Sequence, residues 1–155
     1  MRPDIIPGAI FPDYTLPDHT GTARTLSGLQ GDDPLILTLA RGHYCPKEHQ
    51  QHLEMAAHYP KINVAYTQVA TIATDEHHTL QEFRNSVGAQ WTFLSDPGRI
   101  VQQDLDIAEY TDPDNNPMIP RTSCSSRALS STASTTATGS GAALPSTTCG
   151  TTCAR

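Results

Sequence analysis

Composition breaks abruptly at Thr122, and that break bounds what this 155-residue chain can fold into. Between residues 122 and 155, 29 of 34 side chains belong to Ser, Thr, Ala, Gly or Cys. Asp, Glu, Lys and aromatic residues are missing there, so all 16 acidic side chains lie upstream. A stretch with so little apolar surface to bury cannot offset its chain entropy. Residues 122–155 are therefore expected to form a disordered, low-complexity Ser/Thr/Ala/Gly tail, and residues 1–121 one folded domain.

The formal net charge of −6 argues against a nucleic-acid partner, because phosphate binding needs clustered Lys and Arg. The first residues lack the apolar core of a signal peptide, and no apolar run reaches membrane-spanning length. A soluble, cytoplasmic protein with no membrane partner is expected. The four cysteines are Cys45, Cys124, Cys149 and Cys153, and the first three quarters of the chain hold only Cys45. That is no disulfide scaffold. A lone thiol is either a small buried hydrophobe or a reactive group, and its neighbours decide which.

Residues 11–16 alternate weakly and run into the turn signal Pro17-Asp18-His19-Thr20-Gly21, so residues 22–26 read as a return strand. Residues 28–34 read as a loop and 34–40 as a short buried strand. Residues 41–44 turn the chain, and a helix starts at or beside Cys45, with Pro46 suited to its first position. Leu53, Ala56 and Ala57 supply an apolar stripe, and Pro60 is the expected stop. Val69, Ile72 and Ala73 mark the next strand. A helix capped by Thr74 or Asp75 follows, with Leu80, Phe83 and Val87 on one face and Gly88 as stop. Residues 92–94 read as a strand, Asp96-Pro97-Gly98 as a turn, 100–105 as a short helix and 112–117 as a polar loop. A hairpin followed by alternating strands and helices predicts an α/β sheet with helices packed on it.

Within that order Cys45 follows a buried strand and a glycine-containing turn and opens a helix. Backbone N–H groups at a helix start are unpaired and carry the positive end of the macrodipole, which stabilises a thiolate. Arg41 adds positive charge if its side chain turns inward. The alternative is an inert cysteine packed under the helix.

Phe11-Pro12-Asp13-Tyr14-Thr15-Leu16-Pro17-Asp18, with Gly21 and Thr25-Leu26-Ser27, resembles the opening of the alkyl hydroperoxide reductase / thiol-specific antioxidant family. Arg41-Gly42-His43-Tyr44-Cys45-Pro46 resembles the RGxWCP turn of its peroxiredoxin-like branch. Phe93-Leu94-Ser95-Asp96-Pro97 is similar to the stretch before that family's next helix. Ile119-Pro120-Arg121-Thr122 resembles the loop where thioredoxin folds place a proline, often cis, against the active cysteine. These ordered matches cover nearly all of 1–122 and stop at Thr122.

The resemblance implies a thioredoxin-like three-layer sandwich, a mixed sheet with helices on both faces, here without its final hairpin and helix. It implies a thiol peroxidase that needs no cofactor or metal. Cys45 attacks hydrogen peroxide or an organic hydroperoxide, and an external thiol reduces the sulfenic acid. Arg121 aligns with the arginine that positions thiolate and peroxide, while Gly42, Tyr44, Pro46 and Pro120 form the supporting loops. Ile119–Pro120 is expected to be cis and near Cys45. A homodimer is left open.

Two positions depart from the family pattern. Gly42 stands where most relatives carry a Thr or Ser that donates to the peroxide. Glu48 stands where many RGxWCP relatives carry a second cysteine, so recycling needs an outside thiol or a tail cysteine. Two other readings compete. His43, Cys45, His49 and His52 could ligate a metal, although one turn and one helix rarely close a tetrahedron; the plainer reading puts His49 and His52 on a solvated helix face and His77-His78 in a polar first turn. The other reading is a non-catalytic redoxin-like module that only senses oxidant. The abrupt end of the match also suggests that the tail is an out-of-frame reading of the family's usual C-terminus, with a true low-complexity linker as the alternative. Translating the coding DNA in the other two frames decides between them.

Overall fold

The computed structural model describes residues 2–6 and 9–125. Strands β1 (Thr15–Pro17) and β2 (Ala23–Thr25) pair antiparallel around a turn organised by Asp18. Its Oδ1 accepts from the N–H groups of Thr20 (2.8 Å) and Thr22 (3.0 Å), and Oδ2 from Arg24 Nε at 3.1 Å. Burial pushes this carboxyl up, but the bonds from Thr20, Arg24 and Thr22 outweigh it and hold the pKa at about 2. Thr25 then caps a short helix, α1 (Leu26–Gln30), where a strand end and a loop were expected, accepting from Gly28 N–H at 3.1 Å.

Next come β3 (Leu35–Ala40), α2 (Pro46–Val64), β4 (Gln68–Ala73), α3 (His77–Ser86), β5 (Thr92–Ser95), α4 (Ile100–Asp104) and β6 (Arg121–Ser125). The sheet order is β5-β4-β3-β6, with β3, β4 and β5 parallel and β6 antiparallel to β3. Alternation along the strands builds two cores. Leu35, Leu37, Leu39, Ile72 and Leu94 face Leu16, Leu26, Val101, Leu105 and Met118 on one side. Ala40, Val69, Ala73 and Phe93 face Leu80, Phe83, Val87 and Trp91 on the other, beneath α2 and α3. The result is the mixed-sheet, three-layer thioredoxin-like arrangement expected. Among the described residues no helix is long and apolar enough to cross a membrane.

Four expectations need correction. Pro60 does not end α2, which runs to Val64. The bond Pro60 cannot donate is offset by Met55, Ala56, Tyr59 and Ile62, which pack against the core on both sides of it. Of the expected stripe Leu53, Ala56 and Ala57, only Ala56 packs on the core; Leu53 and Ala57 are exposed, whereas Glu48 and His52 are buried. The residue capping position of α3 falls to Glu76, without a side-chain bond, because Asp75 is engaged elsewhere. Finally, the compositional break at Thr122 is not a structural end. β6 continues to Ser125, and its polar side chains suffice because backbone pairing with β3 holds it. A strand antiparallel to β3 is thus present beyond the break; the rest of the tail, with any reading of it, lies outside the described residues.

Candidate functional site

Cys45 occupies the N-cap of α2 and is 7% exposed. Its N–H donates to Gly42 O at 3.3 Å and its carbonyl accepts the first helical bond, from His49 N–H at 3.1 Å. Its side chain caps nothing and is left free for chemistry. Pro46 follows at the first helical position, as expected.

A cavity of about 390 Å³ opens at Cys45. The turn after β3 contributes Arg41, the first two turns of α2 contribute Lys47, Glu48 and Gln51, and the entry to β6 contributes Pro120, Arg121 and Thr122. The register explains the convergence, because Arg121 pairs with Leu39 near the end of β3. Gln51 Nε2 reaches Thr122 Oγ1 at 3.5 Å and ties helix to strand. Cys45, Pro120 and Arg121 are therefore brought together. Ile119–Pro120 is trans, against expectation, since no cis peptide occurs among the described residues. The antiparallel pairing of β6 carries Arg121 to the cavity without it.

Gly42 and Tyr44 do not line this cavity; they shape the turn that presents it. Gly42 has φ +134°, a region that side chains rarely adopt, and a Cβ there would lie 2.6 Å from Asp75 Oδ2. Asp75 cannot simply retreat, because Oδ2 accepts from His43 N–H at 2.8 Å and Oδ1 lies 3.1 Å from His43 Nδ1. The glycine that replaces the family hydroxyl is thus demanded by the turn. Tyr44 OH donates to Asp112 Oδ2 at 3.1 Å, and burial together with that carboxylate pushes the phenol well above its ordinary range.

Several site residues carried little signal in the sequence. Arg41 does turn inward, and its Nε pairs with Glu109 Oε2 at 2.8 Å. Glu48, 3% exposed, has an orphaned Oε2 among the described residues, while burial pushes its carboxyl up against the opposing pull of Arg41. Glu109 and Asp112 come from a loop with no periodicity, so only a folded chain could reveal them. Glu48 was visible as the third residue after Cys45, but nothing in its surroundings marked it as buried.

The histidines do not gather around Cys45. His43 is held by Asp75, and His49 lies 3.2 Å from Ser86 Oγ. His52 is not on a solvated face but fully buried among Phe83, Trp91 and Phe93. Its Nδ1 meets the Glu48 carbonyl at 2.7 Å, which can only accept, and Nε2 meets Thr71 Oγ1 at 3.3 Å. Among the described residues no group of three or more His, Cys, Asp or Glu side chains could hold a metal ion.

The AhpC/TSA family profile matches residues 7–132, which carries the similarity ten residues past Thr122. Solved structures similar in fold include peroxidoxin BcpB from Mycobacterium tuberculosis, with TM-score 0.64 and 22% identity over 74% of this chain and 73% of that one. PrxQ of Xylella fastidiosa gives TM-score 0.63 at 18% identity, over 72% and 70% of the two chains. Peroxiredoxin 6 of Arenicola marina gives 0.68 at 11%, over 76% of this chain and 58% of its own. No curated protein matches the sequence.

Proposed function

Because the chain belongs to the AhpC/TSA family, we propose that it is a thiol-dependent peroxidase whose reactive thiol is Cys45. The observation that carries this reading is the cavity in which Cys45, free at a helix start, meets Arg121 and Arg41. In the proposed reaction the Cys45 thiolate attacks one oxygen of a hydroperoxide. The S–O bond forms, the O–O bond breaks, and the leaving oxygen departs as water or alcohol with a proton from solvent. Arg121 holds the thiolate and the polarised O–O bond, where fixed positive charge is worth most. Two equivalents of an external thiol then return Cys45 to the reduced state, with no cysteine at position 48 to form a local disulfide first.

Gly42 offers no hydroxyl to the peroxide, so activation falls to the arginines and the N–H groups of the helix start. That feature also favours a second reading, a redoxin-like module that registers oxidant without turnover. Peroxide consumption with excess dithiol separates the two. The wild-type protein is expected to turn over, Cys45→Ser to be inactive, and Arg121→Gln to lose about 100-fold in rate. A single equivalent consumed and no more would favour the sensor, and activity retained in Cys45→Ser would exclude both.

A further inference from the structure

The Cys45 cavity is cationic in a protein whose net charge is −6. Three of its lining residues, Arg41, Lys47 and Arg121, carry positive charge, and Glu48 is the one acid. Arg41 is answered by Glu109 at 2.8 Å, outside the cavity lining. Lys47 and Arg121 are exposed and have no ion pair among the described residues. They line the cavity of Cys45 from two different elements, one on the first turn of α2 and one at the start of β6. Glu48 is the one opposing group, buried at 3% exposure, where burial raises its pKa against the smaller pull of Arg41.

The charge balance changes during the proposed cycle. The thiolate that attacks the peroxide brings one negative charge against these cations. Once it has become a protonated sulfenic acid, that negative charge is gone and the cavity is at its most positive. In the proposed cycle this is also the moment when the reducing thiol enters, and position 48 supplies none. We propose that the reductant resolving the Cys45 sulfenic acid is a small thiol bearing carboxylate groups, seated by Lys47 and Arg121. A cavity of about 390 Å³ suits a small molecule. The inference rests on the peroxidase reading above. Its first step is Cys45–SOH + RSH → Cys45–S–SR + H₂O, and a second RSH releases Cys45–SH and RSSR, so atoms and electrons balance with the thiol as sole reductant.

The test uses the full chain in two stages. Cys45 is first oxidised with one equivalent of hydrogen peroxide, and sulfenic acid formation is scored by mass spectrometry. Its reduction is then timed with 3-mercaptopropionate, 2-mercaptoethanol and cysteamine, whose thiolate forms carry net charges of −2, −1 and 0. Rates are referred to the thiolate form and then corrected for the rise of thiolate nucleophilicity with pKa, with a Brønsted slope of about 0.4–0.5, so that only the charge preference remains. The expected order follows that charge, with mercaptopropionate at least about 10-fold faster than mercaptoethanol at low salt and the advantage shrinking as salt rises. Lys47→Glu should cut the mercaptopropionate-to-mercaptoethanol ratio about 5-fold or more, and Lys47→Arg should preserve it. Equal thiolate-referred rates, or a ratio unmoved by Lys47→Glu, would overturn the inference and leave the peroxidase reading standing. Exclusive formation of a disulfide between Cys45 and another cysteine of the chain would also overturn it. So would a charge preference seen only in oxidation, between carboxylate-bearing and neutral hydroperoxides. Failure to form any sulfenic acid would instead remove the peroxidase reading, and this inference with it.

Discussion

On one face of the sheet Leu35, Leu37, Leu39, Ile72 and Leu94 pack against Leu16, Leu26, Val101 and Leu105, and the helices α1 and α4 that supply Leu26 and Val101 also bury Gln30 and Gln102. On the other, beneath α2, His52 is buried among Phe83, Trp91 and Phe93, and Glu48, Thr38 and Thr71 are buried polar residues as well. Two polar atoms on that second face, Glu48 Oε2 and Thr38 Oγ1, have no hydrogen-bond partner among the described residues. The first face holds the fold together. The second carries Glu48 to the cavity at Cys45 and leaves polar atoms without partners, the kind of local inconsistency expected near a functional site.

The largest effect should come from the apolar face. Leu94→Ala removes a fully buried side chain and is expected to cost about 3–4 kcal/mol in urea unfolding. The folded fraction of that variant should still form Cys45 sulfenic acid at the wild-type rate; a loss of reactivity would mean the faces are not separable. On the site face, His52→Leu should cost about 1–2 kcal/mol at pH 7.5, since it removes the ring bonded to Thr71 Oγ1. It should also alter the pH dependence. Burial lowers the pKa of His52 from 6.5 in the folded protein, so the unfolded chain takes up the proton first. Wild-type stability is therefore full above about pH 6.5 and falls as pH drops through the folded pKa. The difference between wild type and His52→Leu should narrow from pH 7.5 to 5.5 in urea midpoints; a constant gap would show that His52 is not held neutral.

Gly42→Thr restores the hydroxyl that the family pattern suggests, yet it is expected to destabilise by about 1–2 kcal/mol and to slow Cys45 oxidation. Both effects follow from φ +134° and the clash with Asp75. Faster oxidation in that variant would show that the turn relaxes more readily than its geometry implies. The smallest effect belongs to Leu53→Ala on the outer face of α2, within about 0.5 kcal/mol of wild type in the same urea assay.

What could be read in advance follows the same division. Apolar runs such as 34–40 and the spacing Leu80, Phe83, Val87 announced β3 and α3, because burial on a sheet or helix face imposes a period. Cys45 was legible for a related reason, its place between a buried strand and Pro46. α2 was mis-phased because its inward positions include Glu48 and His52, which hydropathy assigns to solvent. Pro60 misled because tertiary packing outweighs one missing hydrogen bond. Arg41, Glu109 and Asp112 meet only through the fold, and polar β6 carries no hydrophobic pattern to announce that it reaches Ser125.

The central claim is that Cys45 is the peroxide-reactive thiol. It is tested by a one-equivalent hydrogen peroxide pulse on the full chain, trapping with a sulfenate-reactive probe, and peptide mass spectrometry of all four cysteines. The account predicts the adduct on Cys45, formed fastest there and reduced in Arg121→Gln. An adduct confined to Cys124, Cys149 or Cys153, or none on Cys45 while the protein is folded, would contradict it.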